Sequence, residues 1–453
     1  MTTARVALRG PAGVYLGNLA EWYDFAIFAA SAAALATVVA AGSGGLTSVF
    51  VVLAAALLIR PMGAVLVGRL SDRSGRRVPF VVMTLLTSGA TAAVGLLPSA
   101  ATAGMAAVLG LAALRSVQAF ATGGQTSTSV AYLFEEAART RRGLYGGLYL
   151  SSAAAGMACG VAAALLVQVV LTPAQFLGWG WRLPFLAAMP MAVLVFWLRR
   201  RLEESPAFDP AHTAAGLAKG APFGPEHLAL RLDSSNVLAL VRRRPLTVMA
   251  GVLLGGAFSA TVNLWFVYIP AHLLATGRAT AATALGPPAA GLLTCAVLAP
   301  LAGAFSDRLG RLPVLMAACA ALALLSPAAF PTAMTGASWI FFTLASMLIG
   351  AALSAFVLAS YLPEQFGTRD RATGVGLTYG IGSGVLGGLA PLIATLFTAS
   401  GHPSGIAALP VLCAVSAATL VWFTHQRGRS SPGRTGLGGS RRTLGAGPAD
   451  HAK

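Results

Sequence analysis

Residues 68–77 read GRLSDRSGRR, and 235 positions later residues 303–312 read GAFSDRLGRL. A second echo follows, with YLFEEAARTRRG at 132–143 returning as YLPEQFGTRDRATG at 361–374, 229 positions on. Two echoes at nearly one offset point to a duplicated unit of about half the chain. Both are short polar strings set between long apolar stretches, and that setting decides the fold.

Of the 453 residues, 56% are apolar and only 10% charged, against about 25% charged in an ordinary soluble domain. This excludes a long soluble enzyme, and the apolar content excludes a disordered chain. The 52 Gly show no period of three, which excludes collagen. Apolar stretches of about 20 residues are the length that spans a hydrocarbon core. Twelve recur, near 13–38, 46–69, 78–98, 103–134, 143–171, 180–199, 245–274, 280–304, 313–333, 337–363, 373–399 and 405–425. The first holds Glu21 and Asp24, which a cleavable signal core does not, so it is read as a retained helix. The expected fold is an all-α polytopic membrane protein of twelve transmembrane helices in two six-helix halves.

The formal charge of +17 invites a nucleic-acid reading. The basic residues, however, sit in short runs between the apolar stretches, so the charge is topological and no nucleic-acid partner is expected. Arg60 and Arg115 lie inside spans and Arg182 and Arg278 in one set of loops, while every other Lys and Arg falls in the alternate loops and at the termini. Cytoplasmic loops are the ones enriched in Lys and Arg, so both termini are expected in the cytoplasm. The expected organisation is a first half over 1–201, a Pro-containing cytoplasmic linker over 202–243, a second half over 244–426 and a basic disordered tail over 427–453. Cys159, Cys295, Cys319 and Cys413 lack the close pairing of a metal or redox motif and are read as packing residues.

The G-x-x-S-D-R-x-G-R pattern, its echo and the six-plus-six layout resemble the major facilitator superfamily. Within it the chain is similar to the metabolite:proton symporter family, whose relatives include proline/betaine, α-ketoglutarate, citrate and shikimate transporters. That narrower likeness rests on GNLAEWYDF at 17–25, RPMGAVLVGRLSDRSGRR at 60–77, LRSVQAFATGGQ at 114–125, and WRLPF at 181–185 leading into RRRLEESPAF at 199–208. The resemblance implies a secondary transporter in a cell membrane that moves a small polar metabolite, a carboxylate or zwitterion, by alternating access with proton symport. Proton-antiport efflux of a drug or secreted metabolite is the alternative. Relatives commonly carry Glu after the Gly pair of the fourth helix, where this chain has Gln125. An amide takes up no proton at neutral pH, which leaves coupling altered, shifted to Glu21 or Asp24, or absent.

Within the spans, Glu21 and Asp24 are three apart and share a helix face. Arg115 lies near mid-depth of the fourth span, where a charge faces the bundle interior, a partner or a pathway. Glu21 and Asp24 are therefore the proton-coupling candidates, with a permanent structural ion pair as the competing reading. Arg115 is a candidate for a substrate carboxylate, since its guanidinium is a planar fork, or else a packing residue that balances the acids. Gln118 and Gln125 could line the same cavity, or hydrogen-bond between helices. Asn263, Trp265, Tyr268 and His272 interrupt the apolar seventh span. Of these Asn263 and Tyr268, with Tyr379 beyond, are substrate-binding candidates, because aromatic faces hold cations; interfacial anchoring is the alternative. Gating is assigned to Arg60, Asp72, Arg73, Arg76 and Glu135 in the first half and to Asp307, Arg308, Arg311 and Glu364 in the second. Asp72 can cap a neighbouring helix N-terminus, and the loop Arg residues can reach Glu135 or Glu136.

A membrane enzyme would need a nucleophile with His and acid partners or a paired metal motif, and the six His are scattered. No filter element of a channel is legible, and no G-x-x-x-x-G-K motif supports ATP drive. The expectation is a transporter, not an enzyme, with no cofactor or metal and with protons, a small solute and the lipid bilayer as partners. Abundant Arg, Ala and Gly with little Lys point to a high-GC bacterial source.

Overall fold

The computed structural model describes residues 9–42, 44–74, 77–199, 235–336 and 338–429. Eleven helices among these are long and apolar enough to cross a membrane, and a bent pair makes up to twelve. In order they are α1 (Arg9–Ala30 and Ala32–Val38), α2 (Leu46–Asp72), α3 (Arg77–Gly95), α4 (Met105–Glu136), α5 (Arg142–Val170) and α6 (Gly180–Trp197). The second set is α7 (Pro245–Ala275), α8 (Ala281–Leu309), α9 (Arg311–Met334), α10 (Trp339–Glu364), α11 (Arg371–Ala399) and α12 (Ala408–Arg429). All backbone groups of a lipid-embedded segment must be bonded within it, which is why the apolar stretches fold as helices.

Three details depart from the sequence reading. The first span bends by 56° at Ser31 rather than running straight. Residues Asn263–Tyr268 of α7 and Gly382–Gly387 of α11 are π-helical, an i→i+5 winding that the hydropathy pattern does not encode. Within the expected linker, Ser235–Arg243 forms a helix with Arg242 and Arg243 in its last turn, and α12 runs to Arg429. The rest of the linker, and the tail from 430, lie outside the described residues. Cys295, Cys319 and Cys413 are buried as packing residues should be, whereas Cys159 is exposed.

The two halves meet along α2 with α11 and along α5 with α8. Each of these helices carries a small-xxx-small pair at the contact: Ala64 and Gly68, Ala372 and Gly376, Gly143 and Gly147, Ala299 and Gly303. Lipid tails are as apolar as Leu, so helices associate where small residues let backbones approach closely. A Cβ on Gly147 would meet the Ala299 carbonyl, and one on Gly376 would meet the Ala64 carbonyl. These positions correspond to one another at the same offsets as the two sequence echoes, so the interface has a pseudo-two-fold axis.

Candidate functional site

On α4, Arg115, Gln118, Thr122 and Gln125 recur at spacings of three and four, so they form one stripe, and this stripe faces Glu21 and Asp24 of α1. Each acid sits in its own network. Asp24 Oδ2 lies 3.6 Å from Arg115 Nη1. Its Oδ1 accepts from Gln118 Nε2 at 3.0 Å and lies 2.7 Å from the Thr91 hydroxyl of α3. Arg115 also donates to Gln118 Oε1 at 2.9 Å and stands over the Phe28 ring, 4.0 Å from its centroid. Glu21 Oε2 accepts from Gln125 Nε2 at 2.8 Å, while Oε1 accepts from the Thr126 hydroxyl at 3.2 Å and lies 3.7 Å from Arg60 Nη2. All four charged side chains are buried. Removing one partner of such a pair costs about 3–5 kcal/mol because the other charge is stranded, so the pairs are strongly specified.

Arg60 therefore stands inside the bundle beside Glu21, and its guanidinium is 5.6 Å from the ring centroid of Tyr379 on α11. This is a link from the first half to the second. Both acid–Arg pairs border a cavity of about 30 Å³. A second cavity of about 50 Å³ lies between the halves, lined by Trp22, Thr126, Tyr149, Phe258, Phe356 and Tyr379 among others. The Tyr149 hydroxyl is buried there with no hydrogen-bond partner. Asn263 and Tyr268 are not among its lining residues. Asn263 Nδ2 donates to the Ser259 carbonyl at 2.8 Å, and the Tyr268 hydroxyl is 3.0 Å from that of Thr398 with its ring 5.4 Å from Phe50. Trp265 is fully buried and donates to Ser346 at 2.9 Å.

Sequence reasoning thus missed Trp22, Tyr149, Phe258 and Phe356 as cavity residues, since an aromatic in an apolar span carries no sign of which way it faces. Thr91 was within reach. Thr84, Thr87 and Thr91 form a helical polar stripe in an otherwise apolar span.

At the Arg-rich end, Asp72 accepts from the Ala372 and Thr373 backbone N–H groups at 3.3 and 2.9 Å and from the Thr373 hydroxyl at 2.8 Å. It thereby caps α11. Asp307 does the same for α5, accepting from Gly143 and Leu144 at 2.8 and 2.9 Å. A carboxylate at a helix N-terminus satisfies donors that have no partner in the helix and complements its dipole. Arg371 pairs with Glu135 at 3.0 Å across the halves. Arg311 pairs with Asp307 at 2.8 Å and with Glu364 at 3.1 Å. Glu135 thus meets an Arg of the other half, Arg371, a partner that loop charge alone did not single out. Arg308 is exposed. The Arg73 side chain and Arg76 lie outside the described residues.

Residues 14–378 match the family model of the Major Facilitator Superfamily. The chain is 30% identical over 391 residues to the ectoine/proline transporter ProP of Corynebacterium glutamicum, covering 84% of this chain and 76% of that one. It is 28% identical over 395 residues to the proline/betaine transporter of Escherichia coli, covering 85% and 77%. Among solved structures, the proton:xylose symporter XylE bound to 6-bromo-6-deoxy-D-glucose superposes with a TM-score of 0.74 at 19% identity, covering 93% of this chain and 96% of that one. A partially occluded inward-open form of XylE from E. coli gives 0.70. The duplicated six-helix halves, the two mirrored loop caps and these matches agree: the chain belongs to the major facilitator superfamily.

Proposed function

We propose that the protein, an integral protein of a bacterial cell membrane, takes up a small zwitterionic or carboxylate solute together with protons. The observation that carries this reading is the pair of buried carboxylate–guanidinium contacts, Asp24–Arg115 and Glu21–Arg60, around a first-half cavity that shares Trp22 with the cavity between the halves. A proton arriving on either acid discharges it and frees its Arg, so protonation and a substrate carboxylate compete for the same partner. The relatives named for proline, betaine and ectoine support a zwitterion.

In this reading Arg60, Tyr149 and Tyr379 offer donors to the solute carboxylate, and the faces of Trp22, Phe258 and Phe356 take its cationic or apolar end. Arg115, Gln118 and Gln125 hold the acids in place. Asn263 and Tyr268 act behind the cavity as packing residues. The Arg-rich end faces the cytoplasm by the positive-inside rule. There Asp72, Asp307, Glu135, Arg311 and Glu364 close the gate, with Arg73, Arg76 and Arg308 contributing charge to the same face. The domain boundaries follow, with the halves joined by the segment before α7.

The test is solute-induced proton movement in proteoliposomes, read with an external pH dye and a panel of proline, betaine, ectoine, citrate and a cationic drug. External alkalinisation by one of the zwitterions is expected. Acidification, or flux without proton movement, refutes the reading. Replacing Asp24 by Asn or Glu21 by Gln is expected to abolish net proton-linked uptake by at least one of the two, while solute exchange survives. Full coupled uptake in both variants refutes the role of the acids.

A further inference from the structure

Glu21 and Asp24 present one side to Arg60 and Arg115. Their other side borders a separate pocket of about 10 Å³, enclosed by α1, α3, α4 and α6. That volume is about the space one water molecule requires. No basic side chain is among its lining residues. Gln125 lines it, and Gln125 is 2% exposed. The orientation of this amide is fixed, because Nε2 donates both to Glu21 Oε2 and to the Gly17 carbonyl at 3.3 Å. An amide oxygen in that place would face two acceptors. The other end, Oε1, is buried with no hydrogen-bond partner. Thr87 adds lone pairs of its own, since its hydroxyl hydrogen goes to the Met83 carbonyl at 3.0 Å. The pocket therefore gathers two carboxylates, the Gln125 amide with its unpartnered oxygen, and the hydroxyls of Thr84, Thr87, Ser88 and Thr91. A guest that donates hydrogen bonds to these acceptors fits there.

We propose that this pocket is a single-water site that relays a proton between Glu21 and Asp24, which rests on the proton-coupled reading above and gives it a route. In the transfer, the O–H bond of the Glu21 carboxyl breaks as an O–H bond forms on the water oxygen. A second O–H bond of the water breaks as one forms on the Asp24 carboxylate, and the water is regenerated. Gln125 and Thr87 are positioning residues that hold the water by its hydrogens and its edge and exchange no proton. The ionisable groups around the two acids are Arg60 on α2, Arg115 on α4, Tyr149 on α5, Tyr379 on α11 and Tyr23 beside Asp24 on α1. The helices α3 and α6 bring only hydroxyl groups and Ala188 to the pocket. Every lining residue belongs to the first half, so the pocket keeps its shape while the halves rock. The relay is then available in either state, and the inter-half cavity alone decides which side of the membrane feeds it.

Thr87→Val keeps the shape and removes the lone pairs, Thr87→Ser keeps the hydroxyl, and Ala188→Val fills the pocket. In proteoliposomes the measured quantity is the ratio of proton-coupled net uptake to equilibrium solute exchange, which needs no net proton transfer. Thr87→Val and Ala188→Val are expected to lower that ratio about tenfold, the effect of one lost hydrogen bond. Thr87→Ser is expected to restore it. Infrared difference spectra of the purified protein, without solute, are expected to show an isolated internal water band that shifts in ¹⁸O water and is lost in Thr87→Val. Coupled wild-type flux with an unchanged ratio in both pocket variants overturns the relay alone, and so does a wild type without the band. Uptake that requires sodium in place of protons overturns it as well. Wild-type flux without proton movement refutes the relay and the proton-coupled reading together.

Discussion

Gly303 on α8 is the position where one methyl group tests the rocking of the halves. A Cβ there would meet the Gly143 carbonyl of α5, with Gly147 close behind. Both neighbours are backbone atoms of the opposite half, so no side chain can swing away. In the state described here Gly303→Ala is an overpacking substitution, and such changes cost about 1–3 kcal/mol. The cost vanishes once the halves part at the Arg-rich end, because the carbonyl then withdraws. The gain in helix propensity from Gly to Ala applies to both states and cancels. The net effect is a shift of about 5- to 150-fold toward opening at that end. Spin labels at Thr140 and Thr368, both exposed at the Arg-rich end of opposite halves, report it as a distance distribution by double electron–electron resonance. Cys159 is replaced by Ala for the labelling, and the other three cysteines are buried. Gly286→Ala on the same helix is the control, since a Cβ there meets nothing within 4 Å. A longer-distance population is expected in Gly303→Ala and not in Gly286→Ala. Folded Gly303→Ala protein with the wild-type distribution would refute the reasoning.

Asp72→Ala and Asp307→Ala each remove a cap on a helix of the opposite half, worth about 0.5–2 kcal/mol. Either is expected to favour opening at the Arg-rich end by about two- to thirtyfold, and the double variant to favour it more than either alone; the same label pair reads this. Tyr149→Phe removes a buried hydroxyl that makes no hydrogen bond of good geometry. Its melting temperature is expected to stay at the wild-type value while KM for the solute rises about tenfold, the worth of one hydrogen bond to a charged group. An unchanged KM removes Tyr149 from the solute site.

Much of this molecule was legible before any coordinates. Asp72 and Asp307 announce themselves because a loop acid between apolar helices has few things to bond except the end of another helix. Glu21 and Asp24 stand out for the opposite reason, since a carboxylate in hydrocarbon needs a partner. Arg60 is legible as a charge within the second span, but not as the partner of Glu21. Its position along α2 is a matter of sequence, but its pairing with Glu21 depends on how α1, α2 and α4 cross. The four small-xxx-small pairs were readable at the repeat offsets, although Ala and Gly are so frequent here that the signal hides in the composition.

Hydropathy is a property of each segment taken alone, so the sequence by itself determined the apolar spans, the duplication and the burial of Glu21, Asp24, Arg60 and Arg115, while the burial of Arg69 and Glu135 came only with the packing. A lipid-embedded segment has one way to satisfy its backbone, and its composition therefore suffices to call it a helix. Which side chains meet is a property of pairs of helices, fixed by packing of small residues and by the crossing of one helix over another. The tertiary structure alone decided that Asp24 takes Arg115 while Glu21 takes Arg60. It also decided that the central cavity is lined by Tyr149 and Phe258 rather than by Asn263 and Tyr268, and that a water-sized pocket joins the two acids.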